Sequence, residues 1–163
     1  MTSQLTTVRQ GRTTSSGEFQ AGASALIVLL LTSVHHAWGA VIYDTLWRLH
    51  IVFISVPVAM FVAALLYVSK NDLSGWGRPA RWTAATVILG FPIAMIGFWE
   101  GGFNHLVKNL VFFTQGEAAT RSLFPSDMVE MPNDLVFEVT GVMQFGAALY
   151  ALRKLWLLAS GRG

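Results

Sequence analysis

The chain offers four histidines, His35, His36, His50 and His105, nine carboxylates and no cysteine. Neutral imidazoles beside carboxylates are the donors of a divalent transition-metal site, with further carboxylates available to fix the ring tautomers. The candidate ligands are His35, His36, His50, Glu100, His105 and Glu138, with Asp44, Asn104, Met128, Met131 and Asp134 in a second rank. Absence of cysteine removes disulfides, thiolate sites and c-type haem attachment together. Two thioethers in Asp127-Met128-Val129-Glu130-Met131-Pro132, joined to imidazoles, favour copper over zinc. A b-type haem is the next candidate, with axial ligands from His35 or His36 and from His50 or His105, and with Gly39, Gly101, Gly102, Gly141 and Gly146 making room for the macrocycle. The spacing itself names no ligand set. There is no His-x-x-x-His pair and no repeated Glu-x-x-His of the di-iron bundles.

Composition says what must position these residues. Of 163 residues 53% are hydrophobic and 12% charged, about half the charge of a soluble domain. Four stretches reach the roughly 20 apolar residues that a bilayer-spanning helix needs: about Ala21–Tyr43, Leu46–Ser69, Trp82–Phe113 and Leu135–Ala159. The prediction is therefore an all-α membrane protein, a bundle of four transmembrane helices over residues 21–163 behind a flexible polar tail of residues 1–20. A cleaved signal peptide is the lesser reading of the N-terminus, because the apolar run continues through Val41-Ile42 as a full span does.

Charge orients the bundle. Eight of the eleven Lys and Arg fall in the tail, the Lys70–Arg81 loop and the C-terminal end, whereas Arg48, Lys108 and Arg121 fall at the opposite edge. By the positive-inside rule both termini are cytoplasmic. Seven of the nine carboxylates, Asp44, Glu100, Glu117, Asp127, Glu130, Asp134 and Glu138, then lie outside with all the histidines. In a bacterium this places the protein in the inner (plasma) membrane, with the site facing the periplasm or exterior.

The third span is too long. As one helix Trp82–Phe113 would reach about 48 Å, past the roughly 30 Å hydrocarbon layer. It must break or project, and Gly101-Gly102 is the natural break. Phe103–Phe113 would then lie along the outer surface, with His105 and Lys108 at the polar boundary. Pro57 and Pro92 each remove a backbone donor near mid-membrane and open space between helices. His35 and His36, about 100° apart on one helix, cannot both point straight at the bundle axis.

The pI near 9.3 reflects topology rather than nucleic-acid binding, and no phosphate loop, dinucleotide fingerprint or Gly-x-Ser-x-Gly elbow is present. In residue types, without any aligned motif, the mixture of His, Asp, Asn and Glu in membrane helices is similar to the copper sites of membrane-bound monooxygenases. Two functions from different classes follow. One is a small membrane protein with a redox or metal-handling site, copper favoured. The other is an accessory or assembly subunit of a larger membrane complex, without chemistry of its own. Expected partners are the lipid bilayer and other membrane subunits or further copies of the chain, but no nucleic acid.

Overall fold

The computed structural model describes residues 2–125 and 129–160, with side chains from residue 16 onward. Among them there is no strand. Helix α1 (Thr2–Ile42) is followed by a 3-10 turn (Leu46–Leu49) and helix α2 (His50–Asn71). After a second turn (Leu73–Gly75), α3 (Gly77–Ile88) passes without interruption into a π-helix, π1 (Leu89–Val107), and then into α4 (Lys108–Gln115). A short α5 (Glu117–Leu123) and α6 (Leu135–Ala159) complete the chain. Four helical stretches are long and apolar enough to cross a membrane: Ser16–Ile42, Leu46–Asn71, Gly77–Gln115 and Leu135–Ala159.

The outward faces are those of a lipid-facing bundle. Leu30, Val41, Phe53, Met60 and Leu135 are exposed, an arrangement that water would penalise and hydrocarbon does not. Inside, Ala25, Val28, Val62, Ile88, Ile93, Ile96, Ala148, Ala151 and Leu155 form one buried cluster. Spans one and four meet at both ends: Lys154 Nζ donates to Gln20 Oε1 at 2.8 Å, and Trp38 Nε1 donates to Asp134 Oδ1 at 2.9 Å. Residues 20 and 154 therefore share the end opposite the histidines.

The third span resolves its excess length by continuity. Gly101-Gly102 is no break, and Phe103–Phe113 does not form a separate surface helix; the winding changes instead. Pro92 lies near the start of π1 and has no N–H to give to the carbonyl of Ile88, which favours departure from the α-helical ladder. The glycines serve close packing. A Cβ on Gly97 would stand 1.9 Å from Ala148 Cβ, and one on Gly101 would stand 2.6 Å from the backbone nitrogen of Phe145 and 2.8 Å from the carbonyl oxygen of Gly141. Small residues let membrane helices approach where lipid offers no hydrophobic drive to association. Here they press π1 against α6.

Candidate metal centre

Three imidazole nitrogens surround one carboxylate oxygen. His35 Nε2 and His36 Nε2 both lie 3.9 Å from Glu100 Oε1, and His105 Nε2 lies 3.6 Å from it. One ligand atom each from His35, Glu100 and His105 fall within 4.8 Å of one another. Two donors about 2.0–2.1 Å from a tetrahedral ion stand roughly 3.3 Å apart, so small side-chain shifts would close the group on a metal. This buried group can hold a metal ion.

The winding of the third span makes the group possible. Glu100 and His105 are five residues apart and would stand about 140° apart around an α-helix. In a π-helix the hydrogen bonds run from i to i+5, so residues five apart sit close to one above the other. At the end of π1 the Lys108 N–H reaches back to the Phe103 carbonyl. The π turn thus places the carboxylate and the imidazole on one face.

His105, His35 and Glu100 are each oriented by a partner. His105 Nδ1 donates to Glu138 Oε2 at 2.8 Å, and its Nε2 is turned toward Glu100 Oε1. Glu138 Oε1 in turn accepts from Lys108 Nζ at 2.7 Å. His35 Nδ1 is 3.0 Å from Thr140 Oγ1. That hydroxyl already donates to the Val136 carbonyl at 2.7 Å, so it accepts from His35 Nδ1 and leaves His35 Nε2 as a bare lone pair. Both His35 Nε2 and His36 Nδ1 are buried with no hydrogen-bond partner. Asn104 Nδ2 donates to Glu100 Oε2 at 2.9 Å and leaves Oε1 to face the rings. A carboxylate or hydroxyl on the far nitrogen of each ring is the usual support of metal-binding histidines.

Packing holds the rings edge to face. His35 stacks on Phe137 at 4.0 Å between centroids and meets His105 edge-on at 4.6 Å. Gly141 leaves the space that His105 occupies, since a Cβ there would come within 2.3 Å of the ring. His35, His36 and His105 are all buried. Both members of the adjacent pair turn toward Glu100, each with Nε2 3.9 Å from its Oε1.

The other sequence candidates separate by position. His50 is on the rim of the cavity: it is exposed, its Nδ1 meets the Trp47 carbonyl, and its ring is 6.4 Å from that of His36. Asp44 is exposed in the turn after α1, with φ at 50°, a left-handed position that Asp tolerates. Asp134 caps α6 by accepting from the Phe137 N–H at 2.7 Å. That bond and the one from Trp38 hold its carboxyl below the usual carboxylate range. Met131 is half-buried and does not line the cavity beside the histidines. Met128, with Asp127, lies outside the described residues.

Sequence reasoning passed over the residues that support the donors. Lys108, expected at the polar boundary, is 1% exposed and donates to the Glu130 carbonyl at 2.7 Å as well as to Glu138. Its signal was a lone cation inside the apolar run Leu106–Phe113, which is costly in a membrane unless paired. Arg48 is buried too, donating to Glu130 Oε1 at 3.0 Å and lying over the Trp47 ring at 4.9 Å. Thr140 had no signal, because its role depends on which helix faces it, whereas Gly141, expected to make room for a haem, makes room for the His105 ring. Just past α1, Tyr43 donates to Asn133 Oδ1 at 2.6 Å. Burial and the Glu138, Glu130 and Asp134 carboxylates push its pKa up to about 12.

A cavity of about 360 Å³ adjoins the group, lined on its polar side by His36, Glu100, Asn104, His105 and Lys108. Fold and site together define an all-α, membrane-spanning type of four-helix protein with a buried His/Glu group able to hold a metal. No protein-family model, curated protein or solved structure matches the chain.

Proposed function

We propose that the protein is a membrane metalloprotein whose centre is built by His35, Glu100 and His105, with His36 as a fourth donor, and that it serves a redox or metal-handling role on the non-cytoplasmic side. The observation that carries this reading is a pair of rings oriented from behind. His35 and His105 spend Nδ1 on Thr140 and Glu138 and turn Nε2 toward the same carboxylate oxygen. His35 Nε2, buried without a partner, costs about 1–3 kcal/mol, a penalty that an ion would convert into coordination. Three imidazoles and a carboxylate suit a divalent first-row ion. Among these copper is favoured, because it binds nitrogen and oxygen donors most tightly. Met131 does not line the cavity, so the case for copper rests here on the nitrogen and oxygen donors. Haem suits the arrangement less well: His35 and His105 are in ring contact, with no slot between them for a macrocycle.

The test is metal analysis of protein purified in mild detergent, stripped with chelator and reloaded with Cu(II), Zn(II) or Fe(II). One equivalent retained by the wild type, and less than a tenth of that by Glu100→Ala and His105→Ala, is the expected result. Absence of stoichiometric metal from the reloaded wild type would overturn the reading. An optical spectrum of the protein as isolated separates haem in the same preparation.

A further inference from the structure

The cavity does not end at the histidines. Beyond them it is bounded by Ile51 of α2 and by Phe91, Met95 and Ile96 of π1, with Trp47 and Trp99 at its sides. Met95 and Trp99 are each 56% exposed, on the surface that these spans turn to lipid. Helix α2 packs mainly on α1 and α3, which leaves a seam between α2 and π1 beside the site. The aqueous side is built differently. There Glu130 is fastened twice, by Arg48 Nη2 on its carboxylate at 3.0 Å and by Lys108 Nζ on its carbonyl at 2.7 Å. Val129-Glu130 thus lies across the outer end of the cavity. Arg48 is balanced by Glu130 and Lys108 by Glu138, so neither cation is left over to attract an anion.

We infer that the seam between α2 and π1 is a lateral portal, through which a membrane-dissolved molecule with an uncharged ring head bearing a hydroxyl or carbonyl reaches the His/Glu centre. This assignment of substrate class rests on the metal-site reading above. The size of the cavity fits a ring head and not a whole lipid, so an apolar tail stays in the bilayer. Trp47, Phe91 and Trp99 supply flat walls for a ring. Asn104 and the centre itself supply polar contacts for one oxygen at its edge.

Saturable tryptophan quenching by 2-bromo-4-hexylphenol, competed by 4-hexylphenol, tests the portal with protein in lipid nanodiscs. The wild type should show a saturable component. In the double variant Ile51→Phe, Met95→Phe, which fills the seam, it should weaken at least tenfold while copper content and melting temperature hold. If that variant fails to fold, Phe91→Ala, which removes a wall, should weaken binding to a similar degree. The water-soluble 4-hydroxybenzenesulfonate should not compete. Quenching that never saturates in the wild type overturns the portal, as does wild-type binding by a folded variant or equal competition by the sulfonate. Metal content measured on the same samples separates the two ideas: probe binding that depends on the seam in a protein that holds no metal sustains the portal and removes the metal centre.

Discussion

The two ends of the bundle each bury a carboxylate, and they treat it in opposite ways. At the end that carries residues 20 and 154, Glu18 Oε1 accepts from Ser69 Oγ and from Arg81 Nε, both at 2.7 Å. Acceptor and donors are matched. At the other end Glu100 faces three imidazoles, and His35 Nε2 and His36 Nδ1 find no partner, although Glu138, Lys108, Asn104 and Thr140 around them are bonded. Burial of charge is common to both ends and so does not mark a site. What marks it is a bonded outer layer that turns three imidazoles toward one carboxylate oxygen.

The contrast can be broken most severely at the donors. His35→Ala or Glu100→Ala should lower metal affinity more than 100-fold, with helix content by circular dichroism unchanged, because the pair at the other end is untouched. One layer out, Glu138→Gln keeps the shape but loses the charge that orders His105 and Lys108. Isothermal titration should show affinity down about 10–100-fold. A smaller effect should follow from Gly141→Ala, whose methyl must displace the His105 ring. Overpacking of this kind costs about 1–3 kcal/mol, read as a lower melting temperature together with weaker metal binding. Gly90→Ala, where a Cβ meets nothing within 4 Å, should do neither.

At the opposite end, Arg81→Gln should destabilise without affecting metal. Glu18 would keep Ser69 but lose its ion partner, and since the Arg81 side chain is 36% exposed solvent holds the loss to about 1 kcal/mol. Thermal melts with metal analysis on the same sample would check this; a fall in metal content would end the claim that the two ends are independent. The smallest effect concerns acid. Asp134 has a depressed folded pKa, so its capping contribution is complete above the unfolded value near 4 and is lost as pH falls through the folded value below it. Melting temperatures taken down this range should fall less in Asp134→Ala than in the wild type.

The amino-acid sequence by itself determined the class and the rough location. Four apolar runs of bilayer length, the sorting of lysine and arginine from carboxylate, and the gathering of all four histidines at one edge are one-dimensional facts. Hydrocarbon thickness and charge transfer act on them locally, so spans such as Leu135–Ala159 could be read to the residue. Which polar residues meet was decided only by the tertiary structure. An α-helical reading separates Glu100 from His105 and lets one of His35 and His36 face inward. The folded chain winds π1 differently from Pro92 onward, packs it on α6 through Gly97 and Gly101, and brings all four residues together. Thr140, Lys108 and Gly141 entered the site for the same reason: a tautomer, a buried cation and the room for a ring are fixed by neighbours on other helices, at sequence distances that no local pattern records.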